Sequence, residues 1–531
     1  MVKDEKLQEY EYSKVSTHQN VAEKQEVPTH YGYGVRHIQL LILFLCLTVN
    51  FIGRSHMGVT VVSMTRSVKH DVVVDLNLTG NMNNTNTENV DDKNMTTAVE
   101  IYSNFTGNNN TTENYYKTFD WPKSTQEMVL SSFFVGYGIM TIPMGLVVQR
   151  WGGKIPMQIA LSVNGVVSIL TPWLVNWGGW KAVCACRIAQ GLSQAGIFPS
   201  LQALCAKWVP VSERGALTSY VFTGSTSGTI LAFQLSGYLS ESRWGWPSTF
   251  WAVGLMFLGL FAILTIFVAA SPSDHKTISE EEKIFIMGQV DNGNTKKHLK
   301  IPWRAMLCSR PVWGMLATQV GSGISNVLFY TQVPSYIHYI TGVNVRSSGY
   351  LSSLPYVFSI FTSILFGWLS DFLTNRNIIT IKTARIIFNS ISQVGLAAAF
   401  ICVTFTSSTA VAVACLIFSM GCHMGVHVGF MVNQIDLAPN FGGTLMMVGN
   451  MMTTVAIVLQ PVLVSFVVTD VYNKAQWRII FLSVAGMAIL TNFIFIFLMS
   501  ADLQPWNDSY QKDKGVEETG SKNVKEKEAD Q

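Results

Sequence analysis

The sequence predicts an all-α membrane protein of twelve transmembrane helices, arranged as two pseudo-symmetric bundles of six. Three observations carry this prediction. First, 49% of the 531 residues are hydrophobic and only 13% are charged, about half the charged share of a soluble domain, ~25%. Second, apolar segments long enough to cross a hydrocarbon core of about 30 Å as helices recur twelve times along the chain. Third, one long polar stretch at 271–311 divides them six and six, which suggests two related halves.

The elements follow in order. Residues 1–37 are charged and poor in apolar side chains, which reads as a tail without a packed core, and they do not have the shape of a cleavable signal peptide. Spans at 38–64, 127–149, 155–177, 182–205, 216–240 and 249–270 make an N-terminal bundle covering 38–270. Its first loop, 71–120, is hydrophilic and carries glycosylation sequons at Asn77, Asn83, Asn94, Asn104, Asn109 and Asn110. Six acceptor sites in one loop mark a lumenal or extracellular face. The central loop, 271–311, contains Glu280, Glu281, Glu282, Lys283, Lys296, Lys297 and Lys300. Spans at 312–334, 348–370, 385–406, 409–433, 444–468 and 478–499 make a C-terminal bundle covering 312–499, and 500–531 is a second polar tail.

Charge gives the orientation independently. If loop 71–120 is outside, both termini and the loops after even-numbered spans are cytosolic and should be rich in Lys and Arg. Arg150, Lys154, Lys207, Arg214, the central loop, Arg376, Lys382 and Arg385 all fall there; Lys181, Arg243, Arg346 and Lys474 are the scattered exceptions. The net charge of +3 is accounted for by these loops and implies no nucleic-acid partner. None of the eight cysteines lies in the loop with the sequons, so free thiols are expected rather than a disulfide framework. Cys184-Ala-Cys186 is too tight and too apolar for zinc, and no metal site is expected.

Two cations stand out because of where they sit. Arg54 and Arg187 lie inside apolar spans with no carboxylate in either stretch placed to neutralise them. An arginine at the centre of a span costs roughly 2.5–3.5 kcal/mol and usually faces a cavity or pathway. An anionic substrate is one partner for them; backbone carbonyls are the other.

Motifs then extend the reading. Gly145-Leu-Val-Val-Gln-Arg150-Trp-Gly-Gly-Lys154 after span 2 and Gly367-Trp-Leu-Ser-Asp371-Phe after span 8 occupy corresponding places in the two halves. Arg187-Ile-Ala-Gln-Gly191-Leu-Ser-Gln194-Ala-Gly-Ile-Phe-Pro199 closes span 4, and Asn433-Gln-Ile-Asp436-Leu-Ala-Pro439 closes span 10. With Ser132-Phe-Phe-Val-Gly136-Tyr137, Gly245-Trp-Pro-Ser-Thr-Phe250 and Leu503-Gln-Pro-Trp506, this pattern over 38–506 resembles the anion:cation symporters of the major facilitator superfamily. That group includes type I sodium-phosphate cotransporters, sialin and the vesicular glutamate transporters. The resemblance implies the major facilitator fold, and it implies that Arg54 and Arg187 meet the substrate's anionic group. It also implies a departure: proton-coupled members have a glutamate where this chain has Gln194, whose amide cannot exchange a proton near neutral pH. Glutamate-type members carry a histidine at the place of Leu130 and an arginine at that of Ser322, which disfavours glutamate here.

Further candidates are polar groups within spans. Asn50 and Tyr137, with Tyr330, could bond a substrate oxyanion or simply pack. His423 and His427 are four apart and should share a helix face, either carrying a coupling proton or packing as hydrogen-bonded core. Asn433 and Asp436 lie near the end of span 10, where Asp436 is a cap, a gate or a cation ligand. The expected function is a secondary active symporter that moves an inorganic or organic anion, phosphate first, by alternating access coupled to Na⁺ or H⁺, with no cofactor. The alternatives are a vesicular or lysosomal transporter of an organic anion such as sialate or urate, and a transport-inactive sensor or scaffold. No paired catalytic carboxylates or nucleophile–base motif suggests an enzyme. The expected partners are a small anionic substrate and the lipid bilayer, and the expected setting is the plasma membrane, with the protein working as a monomer.

Overall fold

The computed structural model describes residues 32–65, 117–210, 213–294, 301–406, 408–439 and 441–508. Asn77, Asn83, Asn94, Asn104, Asn109 and Asn110 lie outside the described residues. Among the described residues the regular structure is helical, with an isolated bridge between Thr65 and Phe119.

The N-terminal half consists of α1 (Val35–Ser55), α2 (Met57–Met64), α3 (Lys123–Trp151), α4 (Lys154–Gln194), α5 (Ile197–Trp208), α6 (Arg214–Ser240) and α7 (Gly245–Phe267). A connecting helix α8 (Glu280–Asn294) and a short turn of helix α9 (Trp303–Leu307) follow. The C-terminal half consists of α10 (Arg310–Thr331), α11 (Val333–Thr341), α12 (Val345–Asn375), α13 (Ile381–Phe405), α14 (Thr409–His423), α15 (Gly425–Val428), α16 (Phe430–Leu437), α17 (Gly442–Val467) and α18 (Lys474–Leu498).

Nine helical stretches among the described residues are long and apolar enough to cross a membrane. One of them, Lys154–Trp208, has 55 residues and makes two passes. Its chain reverses at Gly179, where φ is 59° and ψ is −148°, a conformation open to glycine alone without strain. The two arms then pair antiparallel: Asn164 Nδ2 donates to Ser193 Oγ, Gln190 Nε2 to Ser168 Oγ and Gln194 Nε2 to Asn164 Oδ1. α6 and the α10–α11 pair complete the twelve passes. They are the less apolar ones because they turn Ser, Thr, Gln and Asn towards other helices rather than lipid.

Large apolar side chains such as Ile266, Phe466 and Phe497 are exposed, while polar ones such as Asn164, Asn389, Gln393 and His423 are buried. This inverted pattern suits a lipid solvent, in which polar groups must find partners inside the protein. Close packing is achieved at small residues: a Cβ on Gly191 would overlap the Phe133 carbonyl of α3.

Within each half the spans pack around their own apolar cores. Across the halves α6 meets α12, α3 meets α17, and α2 meets α11. Among the described residues the cross-half hydrogen bonds join Arg54 to Tyr330, Thr65 to Tyr339, Lys123 and Glu127 to Gln332, Gln234 to Ser353, and Glu241 to Arg346. They run from mid-depth to the ends of the spans joined to segment 66–116. On the opposite side Arg36 pairs with Glu213 and with Glu282 of the connecting helix α8, and Arg385 pairs with Asp436.

Several spans are broken in mid-membrane, each for a visible reason. Pro334 cannot donate to the Tyr330 carbonyl, so α10 ends at Thr331 and α11 begins at Val333. Gly58 packs against the Tyr330 carbonyl, where any Cβ would overlap it. Span 1 breaks between α1 and α2 where a side chain from another helix takes the Gly53 and Arg54 carbonyls, a recognised cause of kinks.

Candidate functional site

The side chain that breaks span 1 is Arg187. It is buried, and its Nη1 donates to the Gly53 carbonyl at 3.2 Å and to Gln190 Oε1 at 3.2 Å, while its Nη2 donates to the Arg54 carbonyl at 3.4 Å. These carbonyls would otherwise serve residues 57 and 58 of a continuous helix. The carbonyl partner anticipated for one of the two arginines is therefore present at Arg187.

Arg54 projects from the same break into an aromatic cage. Its guanidinium carbon lies 5.1 Å from the ring centre of Phe134, 5.3 Å from Tyr137, 5.5 Å from Phe133, and 5.6 Å from both Phe51 and Tyr330. Its Nη2 donates to the Tyr330 hydroxyl at 3.3 Å, and its Nε has no hydrogen-bond partner. Among the described residues no carboxylate is within ion-pair distance of either arginine. Cation–π contact steadies a guanidinium, by about 2 kcal/mol or more when desolvated. It supplies no compensating negative charge, and it leaves in-plane N–H groups able to meet an oxyanion.

The two arginines share one ring, since Arg187 lies 4.8 Å from the centre of Phe133. α3 places that ring: Phe133 and Tyr137 are one turn apart and stacked on the face turned to spans 1 and 4. Phe51, Phe133 and Phe134 were not singled out as site residues in the sequence. The visible signal was the Phe-Phe pair one turn ahead of Tyr137.

The other anticipated residues divide into groups. Tyr137 and Tyr330 belong to the cage. Asn50 is buried in α1 and donates to the Cys46 carbonyl of its own helix at 2.7 Å, with Oδ1 unpartnered. Gln194 sits one layer behind, bonded to Asn164 at 2.8 Å. Its neighbour Gln190 links Arg187 to Ser168.

His423 and His427 differ in exposure, and the helix is interrupted for one residue between them: α14 ends at His423 and α15 begins at Gly425. His423 is fully buried, with Nε2 2.9 Å from Asn326 Nδ2 and 3.3 Å from Ser322 Oγ. The Asn326 Nδ2 group donates, so Nε2 is the accepting nitrogen of this contact, and Nδ1 is buried with no hydrogen-bond partner among the described residues. His427 is exposed. Asn433 donates to the Ser500 carbonyl at 2.9 Å, and Asp436 pairs with Arg385 at 2.8 Å. Both thus fasten the end of span 10 within the C-terminal half, away from the arginines.

The fold defines the class, a polytopic transporter built of two six-helix bundles. Residues 43–461 match the family model described as Major Facilitator Superfamily, and the chain belongs to that superfamily. It is 31% identical over 409 residues to a "Putative inorganic phosphate cotransporter" of Drosophila ananassae, spanning 76% of this chain and 85% of the relative. It is 27% identical over 435 residues to sialin of Ovis aries, spanning 82% and 85%. The fold is similar to that of a bacterial homolog of the human lysosomal transporter Spinster, with a TM-score of 0.62 at 12% identity over 88% of this chain and 97% of the other. Its relatives are transporters, so a small-molecule substrate and a membrane setting follow for this chain.

Proposed function

We propose that this protein is an anion symporter whose substrate, inorganic phosphate in the first instance, is bound by the Arg54 guanidinium between the two halves. The observation that carries the reading is Arg54 itself, a mid-membrane cation with no carboxylate partner and an open Nε among the described residues, in a cage of aromatic rings. The resemblance to phosphate cotransporters supports the choice of substrate. Arg187 shares the site by fixing the span 1 carbonyls beneath Arg54, and Tyr137 forms a wall; Asn50 lies one turn below Arg54.

Moving an anion into a negative cytosol costs about 2.3 kcal/mol per charge per 100 mV, and a co-entering cation offsets this. Gln194 offers no exchangeable proton, which favours Na⁺ over H⁺ as the coupling ion. The protein needs no cofactor and catalyses no covalent chemistry. It works as a monomer in the plasma membrane with both termini cytosolic, an orientation supported by the Lys and Arg bias of its loops. Asp436, Asn433, His423 and His427 serve gating rather than substrate contact.

A second reading, an organic anion carried across an organelle membrane, is supported by the likeness to sialin. One experiment separates the two: uptake of labelled phosphate and sialate into proteoliposomes, with Na⁺ and pH gradients imposed independently. Na⁺-driven phosphate uptake is the expected result. Uptake of sialate alone under a pH gradient would replace it with the second reading, and no flux of either would count against both.

A further inference from the structure

Beyond the arginines, one cluster of charge is buried between the halves. Lys123 and Glu127, the first and fifth residues of α3, form an ion pair at 2.7 Å with side chains only 2% and 1% exposed. Gln332, fully buried at the junction of α10 and α11, closes the group into a ring: its Nε2 donates to Glu127 Oε2 at 2.7 Å and its Oε1 accepts from Lys123 Nζ at 3.4 Å. The Trp477 ring of the C-terminal half lies 5.3 Å from Lys123 Nζ. Local helix physics does not ask for this placement. A lysine at a helix N-terminus opposes the dipole, and Lys before Glu is the weaker order of an i,i+4 pair. A feature that breaks local rules and is held by tertiary contacts is a candidate for function.

We propose that Lys123, Glu127 and Gln332 form the gate that closes the transport pathway on the side of segment 66–116. The ion pair belongs to one helix, so it stays together when the halves separate; the Gln332 amide and the Trp477 ring leave, and water replaces the amide. Burying a pair returns little net stability, because desolvation cancels most of the attraction, whereas leaving one member buried alone is strongly unfavourable. The ring therefore holds the gate shut weakly enough to open, and its polarity keeps the closed state from becoming a trap. Gln332 is the residue at the break itself, between α10 and α11.

The inference rests on the alternating-access reading, but its test needs no substrate, so an error in the anion would leave it standing. Hydrogen–deuterium exchange of the full chain in lipid nanodiscs reads gate opening directly. In Glu127→Gln, which leaves Lys123 buried without a counter-charge, exchange in 117–131 and 328–341 should rise about tenfold or more. The double variant Lys123→Met with Glu127→Leu should be protected at least as well as the unaltered protein. Gln332→Leu, which keeps the ion pair and removes only the cross-half bonds, should give the same regional rise if Glu127→Gln fails to fold. Unchanged exchange in the single variants would overturn the proposal. So would a double variant as fast as Glu127→Gln, or acceleration spread evenly over the α1–α6 contact as well.

Discussion

Arg187 holds the carbonyl of Gly53 at 3.2 Å across two helices, and this contact turns a helix break into a mounting for Arg54. One arginine holds the backbone so that its neighbour can project into an aromatic cage. The two cations that look equivalent in the sequence have different work.

That difference is measurable. Arg54→Ala should reduce phosphate uptake by at least about tenfold, since a hydrogen bond to a charged group contributes roughly 1.5–3 kcal/mol. Arg54→Lys should recover only part of it, because an ammonium lacks the planar fork that meets an oxyanion with two donors. Uptake assays in proteoliposomes at matched protein content check both.

Arg187→Ala should lower thermal stability in the absence of substrate as well as transport. It strips the donors from the buried Gly53 carbonyl and the half-buried Arg54 carbonyl, and an unsatisfied buried group costs roughly 1–3 kcal/mol. Arg54→Ala should leave the unfolding midpoint closer to that of the unaltered protein. Equal midpoints for the two variants in lipid or detergent would show that Arg187 does not hold the backbone.

Gln194→Glu should introduce a pH dependence of uptake absent from the unaltered protein, because a carboxyl can exchange a proton where an amide cannot. Its bond to Asn164 Oδ1 survives only when the new carboxyl is protonated and can donate. Acidic conditions should therefore favour the native packing around Asn164. Parallel pH–uptake curves for the two proteins would remove Gln194 from control of coupling.

Gly191→Val should lower the yield of folded protein and its unfolding midpoint, by about 1–3 kcal/mol if the helices can part slightly. Its side chain would collide with the Phe133 carbonyl and push apart the helices that carry Arg187 and the cage. Size-exclusion profiles and thermal unfolding of the purified variant check this.

Much of the fold was legible beforehand because a membrane constrains sequence severely. Spans at 127–149, 216–240 and 409–433 correspond to α3, α6 and the α14–α16 series, since only long apolar helices satisfy their own backbone in lipid. Arg54 was legible for the same reason: its cost is visible without a structure. The helix breaks were less so. Span 10 reads as one continuous stretch, and nothing in its spacing marks the break at Met424; Gly425, the next residue, packs against the Phe388 carbonyl of another helix. Lys123 and Glu127 escaped notice because they sit at the edge of an apolar span, where charges are ordinary, and their burial depends on a glutamine more than two hundred positions away.

Composition and the length and order of the apolar segments determined that the chain crosses the membrane twelve times in two halves and that two of its cations lie at membrane depth. Both follow from the energy of moving single residues from water to hydrocarbon, which each stretch of sequence carries by itself. Which arginine is bonded to backbone carbonyls and which stands among aromatic rings, and which charges meet between the halves, were decided only by the tertiary structure. Hydrogen bonds and cation–π contacts act over a few ångströms, and only folding brings span 1, span 2, span 4 and span 7 within that range.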